Sequence, residues 1–143
     1  MQQYVRVSRD VEWEMAHLLK GHPGKCRFVH GHSYKLNVEV GGKIEKSGMV
    51  IDFGELKTIL QEQIVKKFDH SFVIDRETYQ ELPEKFTEKY CNTIVLEFPP
   101  TSENLLLLIR EKILTHLPGT ITLESLTLQE TSGSKARWLR TDN

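Results

Sequence analysis

The chain has 143 residues, of which 38% are hydrophobic and 27% charged, and its 19 basic and 20 acidic side chains leave a net charge of −1. That size and balance fit one domain over residues 1–143, able to bury about two-thirds of its unfolded surface. They exclude a disordered or fibrous chain, and no basic arm points to nucleic acid or a membrane surface. No apolar run of membrane-spanning length occurs, the N-terminus lacks a signal-peptide apolar region, and two cysteines, Cys26 and Cys91, are too few for a disulfide scaffold. The expectation is a soluble cytoplasmic protein with both thiols reduced.

Residues 4–17 alternate: Val5, Val7, Val11, Trp13, Met15 and His17 share one phase, and Arg6, Ser8, Asp10, Glu12 and Glu14 the other. Period-two patterning predicts a strand with one buried face. A Gly- and Pro-marked loop, Lys20–Lys25, follows. Residues 30–40 alternate again, with His30, His32, Tyr34, Leu36, Val38 and Val40 in phase, and Gly41-Gly42 then signals a turn. The two strands are expected to pair as a long antiparallel hairpin. A helix begins near Asp52, which forms a capping box with Glu55; its apolar face is Leu56, Ile59, Leu60, Ile64 and Phe68. Asp69-His70 stands at its C-terminal end. Residues 71–92 read as irregular and polar, with a short helix around Arg76–Gln80, and 93–98 as a β-branched strand stopped by Pro99-Pro100. Thr101 or Ser102 caps a second helix bearing Leu105, Leu108, Ile109, Ile113 and Leu117, and Pro118-Gly119 ends it. Residues 121–131 and 136–141 read as closing strands. The expected fold is α+β: an antiparallel sheet covered on one face by two helices.

Three histidines carry the strongest chemical signal. His30 and His32 leave the same face of one strand, and His17 lies on the buried phase of its neighbour. Burying three imidazoles without partners costs several kcal/mol in unmet hydrogen bonds. A divalent cation removes that cost, and three nitrogen ligands leave a fourth position open, as in a catalytic zinc site. Cys26, between Lys25 and Arg27 and four residues before His30, is a candidate base or nucleophile, or else a fourth ligand. Asp69-His70 suits a carboxylate that orients an imidazole for proton transfer, or a histidine that caps a helix dipole. Glu130 falls in phase with Leu126 and Leu128, so its carboxylate needs either an arginine or a ligand with a bidentate donor edge.

Together these motifs resemble the 6-pyruvoyl-tetrahydropterin synthase / 6-carboxytetrahydropterin synthase family over essentially the whole chain. The matching stretches are Trp13-Glu14-Met15-Ala16-His17, Cys26-x3-His30-Gly31-His32-Ser33-Tyr34, Val50-Ile51-Asp52-Phe53, Asp69-His70, Pro100-Thr101-Ser102-Glu103-Asn104 and Gln129-Glu130-Thr131. The resemblance implies the tunnelling fold and zinc on His17, His30 and His32. It makes Cys26 the proton-abstracting thiolate and Asp69 and His70 an acid/base pair supplied by a neighbouring subunit. Glu130 would anchor the pterin ring, with Thr101, Ser102 and Glu103 lining the pocket. It further implies a homohexamer, a dimer of trimers with active sites at subunit interfaces. The three-residue gap between Cys26 and His30 is similar to that of the bacterial 6-carboxytetrahydropterin synthases, which points to an enzyme of 7-deazaguanine (queuosine-type) biosynthesis. The sister pyruvoyl-forming activity and a non-catalytic zinc or pterin binder are the alternatives. Trp13 and Met15 depart from the family's usual Phe and Ala.

Overall fold

The alternation of residues 4–17 and 30–40 becomes two long paired strands in the structure, a computed structural model that describes residues 3–143. β1 (Tyr4–His17) and β2 (His30–Lys43) run antiparallel, in a register from Tyr4↔Lys43 to His17↔His30. The glycine pair expected to turn the chain lies inside β2 instead. The Tyr4 ring crosses where a Gly41 side chain would stand, and a Cβ on Gly42 would meet Val50 Cγ1 at 3.1 Å. Close packing, not a turn, calls for those glycines. The hairpin connection is residues 18–29.

β5 (Thr122–Thr131) continues the sheet beside β2, and β6 (Ser134–Leu139) pairs with β5, both antiparallel. The expectation of a wholly antiparallel sheet needs correcting. β3 (Ser71–Asp75) joins β1 in parallel at Met15–His17, and β4 (Thr93–Leu96) joins β3 in parallel, so the order is β4-β3-β1-β2-β5-β6. Ser71-Phe72-Val73-Ile74 is buried throughout, so it lacks the alternation that marks a strand with one wet face. Two short helices, α3 (Arg76–Glu81) and α4 (Glu84–Tyr90), make the crossover between β3 and β4.

Asp52 caps α1 (Phe53–Leu60) by accepting from the Gly54 and Glu55 amides, as its capping-box spacing predicts. A π-helical turn (Gln61–Val65) and α2 (Lys66–Phe68) continue the same rod. The buried positions Leu56, Leu60, Ile64 and Phe68 recur every four residues. In a pure α-helix each such step drifts about 40°, which would carry Phe68 off the core face. The π turn winds more residues per turn and absorbs that drift. α5 (Ser102–Leu114) starts at the Thr101 cap and buries Leu105, Leu106, Ile109 and Ile113. These faces join Val11, Trp13 and Met15 of β1, Leu36, Val38 and Val40 of β2, and Leu126 and Leu128 of β5 in one core. Each such fully buried aliphatic side chain contributes about 1.5–3 kcal/mol.

β5 carries two bulges. Pairing with β2 skips Glu124, and pairing with β6 skips Glu130. The first lets the core phase pass from Leu123 to Leu126 and Leu128, and each re-aims a glutamate. Among the described residues no helix is long and apolar enough to cross a membrane.

Candidate active site

The β1–β2 register sets His17 directly opposite His30, and His32 lies two residues along β2, opposite Met15. All three rings leave the core face at its open end. One ligand nitrogen from each lies within 4.8 Å of the others. The rings meet edge to face, with centroids 4.6 Å apart for His17–His30, 4.8 Å for His30–His32 and 5.2 Å for His17–His32.

The outer hydrogen bonds determine which nitrogen faces inward. His17 Nδ1 donates to the Pro100 carbonyl at 2.9 Å, and His30 Nδ1 donates to the Phe28 carbonyl at 2.7 Å. Each Nε2 is then a bare acceptor. Those two Nε2 atoms face one another at 3.0 Å, while His32 Nε2 is buried with no hydrogen-bond partner. Two lone pairs turned together beside an orphaned third are costly in a protein alone and suit a shared cation. Burial lowers the His17 imidazole below its ordinary pKa, only partly opposed by the Pro100 carbonyl and Glu130. Burial also lowers His32, with His30 adding to the effect. Both are therefore neutral near pH 7, the form that ligates metal.

Glu130 stands against this cluster. Its Oε1 lies 3.5 Å from His17 Nε2, 3.6 Å from His32 Nε2 and 3.4 Å from the Tyr34 hydroxyl that donates to it. No arginine meets it among the described residues. Tyr34 is fully buried, and burial first, then Glu130, raises its pKa, so it stays a protonated donor.

The sequence comparisons decide the family. Residues 6–140 match the model described as 6-pyruvoyl tetrahydropterin synthase. The chain belongs to the 6-pyruvoyl tetrahydropterin synthase family. It is 38% identical over 138 residues to a 6-carboxy-5,6,7,8-tetrahydropterin synthase of Haemophilus influenzae, covering 90% of this chain and 94% of that one. It is 32% identical over 117 residues to the enzyme of that name in Rickettsia felis, covering 79% and 83%. Among solved structures, 6-pyruvoyl tetrahydropterin synthase from Plasmodium vivax superposes with a TM-score of 0.74 at 18% identity, over 96% of this chain and 98% of that one. The Caenorhabditis elegans protein gives 0.68 at 22% identity, over 96% of each. At such identities the structural likeness bears on the fold alone, and that fold is the tunnelling fold expected from the motifs.

Within this family member, the structure brings some of the expected site residues together and keeps others apart. His17, His30, His32 and Glu130 lie together. Thr101 caps α5 by accepting from the Asn104 amide at 3.2 Å, and the Pro100 carbonyl beside it holds His17, so the Thr101–Ser102–Glu103 turn is tied to the cluster through backbone. Cys26 sits on a short 3₁₀ turn, Lys25–Arg27, half-buried and free. The group of ligand atoms around the histidines does not include it, so a four-ligand Cys₁His₃ site is not formed among the described residues.

Asp69 and His70 are not among the clustered ligand atoms. His70 Nδ1 pairs with Asp69 Oδ2 at 2.9 Å, and Glu14 of β1 clips both: its amide donates to Asp69 Oδ1 at 2.9 Å, and its carbonyl accepts the His70 amide at 2.7 Å. The Glu14 amide is the main reason the Asp69 carboxyl titrates below its usual range, with His70 reinforcing it. His70 adopts a left-handed backbone (φ 59°), which costs a non-glycine residue about 1–2 kcal/mol. Its side chain is 79% exposed and lines a cavity of about 430 Å³ with Glu14, Ser33, Phe72, Tyr90 and His32 of the histidine cluster. That volume falls in the range of small-molecule sites. Two partners of the cluster escaped the sequence reading. Tyr34 was in phase with His30 and His32 but read as core, and the Pro100 carbonyl carries no sequence signal at all.

Proposed function

We propose that the protein is a zinc-dependent 6-carboxy-5,6,7,8-tetrahydropterin synthase. It converts 7,8-dihydroneopterin triphosphate and water to 6-carboxytetrahydropterin, acetaldehyde and triphosphate, as a step of 7-deazaguanine biosynthesis in the cytoplasm. The observation that carries the reading is the three-imidazole cluster with two Nε2 atoms turned inward at 3.0 Å and a third left unpartnered. The printed names of the Haemophilus and Rickettsia relatives, and the three-residue gap between Cys26 and His30, favour the carboxy product.

Zinc on His17, His30 and His32 would supply Lewis acidity toward the oxygens of the substrate side chain. The protein's own groups do the rest. Glu130 accepts the paired N–H donors of the pterin ring and so holds the side chain toward the histidines. Thr101, Ser102 and Glu103 line the ring's seat. Cys26 Sγ takes a proton from the side-chain carbon next to the ring. Ionised Asp69 keeps the proton of His70 on Nδ1, leaving Nε2 to exchange a proton with the substrate.

Asp69 and His70 are tied to β1 at the Glu14 backbone, and neither belongs to the group of ligand atoms that the three histidines of their own chain form. In the proposed enzyme they serve the histidines of a neighbouring copy, as the family resemblance implies, in a homohexamer whose sites lie between subunits. Mass spectrometry of products from purified enzyme and dihydroneopterin triphosphate is the test. Acetaldehyde with 6-carboxytetrahydropterin is expected. 6-Pyruvoyl-tetrahydropterin as the sole product would reassign it to the sister activity, and no turnover with bound zinc would leave a binding protein.

A further inference from the structure

The loop that carries Cys26 is held almost wholly by itself. The Leu19 amide donates to the Cys26 carbonyl at 2.8 Å, His22 N to Leu19 O at 3.1 Å and Phe28 N to Lys25 O at 3.0 Å. Side chains add Gly24 N to His22 Nδ1 at 2.9 Å and Arg27 Nη1 to Pro23 O at 3.1 Å. All of these stay within residues 19–28, and most of those residues are exposed. One side chain leaves the loop. Lys20 Nζ reaches Glu77 Oε1 at 2.8 Å and Glu81 Oε1 at 2.5 Å, across 57 and 61 residues of chain. Among the described residues the other tie between residues 20–29 and a neighbouring element comes from β2, where His30 Nδ1 donates to the Phe28 carbonyl at 2.7 Å, and it holds the far end of the loop.

Glu77 and Glu81 sit four apart on α3 and so face the same way. α3 is itself anchored: Asp75 caps it by accepting from the Thr78 amide at 2.7 Å, Thr78 is buried, and β3 before it is hydrogen-bonded to β1 at Met15–His17. A connected path therefore runs from the His17 end of β1, through β3 and α3, to Lys20. From there the Leu19–Cys26 bond is one residue away.

We infer that Lys20, forked between Glu77 and Glu81, is a positioning residue that holds the Cys26 loop at a fixed distance from the histidine cluster. This gives the β3–α3–α4–β4 crossover a role in the reaction, and it rests on the proposed part of Cys26. Lys20 touches no reacting atom; it limits how far the thiol can wander. The tether is electrostatic and near the surface, so salt screens it and its effect is modest.

The test uses the full-length, metal-loaded enzyme carrying Cys91→Ser, so that alkylation by iodoacetamide reports on Cys26 alone. Lys20→Met should raise the alkylation rate about fivefold and lower kcat by a similar factor, with KM and zinc content unchanged. Glu77→Gln with Glu81→Gln should reproduce this from the α3 side, should Lys20→Met fold poorly. The charge exchange Lys20→Glu with Glu77→Lys and Glu81→Lys should restore much of both parameters, a rescue that general loss of stability cannot give. Alkylation and kcat within about twofold of the parent in both disruptive variants would overturn the tether. Full turnover by Cys26→Ala would instead overturn the role of Cys26, while the alkylation rates would still decide the tether.

Discussion

Strand β5 carries two glutamates at two bulges, and their surroundings are opposite. Glu124 is 3% exposed and fully met: the Tyr4 hydroxyl donates to it, Arg140 Nε lies 3.1 Å away and Arg6 Nε 3.5 Å. Burial works to raise its pKa, yet the bonds from Tyr4 and Arg140 and the nearby arginine charges outweigh it and leave the carboxyl lowered. At the other end of the same strand, Glu130 meets two imidazoles at 3.5 and 3.6 Å and one long phenol contact at 3.4 Å, with no arginine or lysine paired to it among the described residues. The first cluster is closed and ties the N-terminal strand to the C-terminal turn. The second is left open, with an orphaned His32 nitrogen at its centre. Where every polar group is satisfied the protein is being held together, and where several are not, something is expected to bind.

The contrast is broken most severely at the open end. His32→Ala should abolish stoichiometric zinc and measurable turnover. It should not weaken the metal-free fold, because it removes a buried group that had no partner; metal analysis and urea unfolding of the stripped protein check both halves. Cys26→Ala should cost about 10²–10⁴ in kcat while zinc content stays at the parent level, since the thiol lies outside the three-nitrogen group. At the closed end the pattern reverses. Glu124→Ala should destabilise the protein by about 1–3 kcal/mol in urea unfolding, with turnover per folded molecule unchanged.

The smallest effect is on pH dependence. The folded pKa of Glu124 is lowered, so its stabilisation is complete above the ordinary carboxylate value of about 4.3 and is lost as pH falls through the lower folded value. Glu124→Gln should flatten the loss of stability over that acid window. An unchanged acid limb would mean the closed cluster contributes nothing through its charge.

Much of this was legible before any coordinates. Alternation fixed both long strands and put His17, His30 and His32 in one phase, and the Asp52–Glu55 spacing and the Thr101 cap marked both major helices. The failures have separate physical causes. β3 is buried on both faces and shows no period of two. Gly41-Gly42 was read as a turn because composition cannot tell a reversal from a place where the Tyr4 ring must pass close to the backbone. Glu130 was expected to meet an arginine or a ligand, and its approach to the imidazoles depends on a bulge that no residue type announces. The placing of Asp69-His70 against β1 rests on two backbone bonds to Glu14, which leave no trace in the side-chain pattern.

Cobalt(II) titration of the metal-free protein, followed by its visible absorption, tests the shared cation most directly. One equivalent should saturate the parent chain and Cys26→Ala alike, and the signal should vanish in each of His17→Ala, His30→Ala and His32→Ala. A signal that survives all three histidine substitutions, or that disappears in Cys26→Ala, would contradict the account.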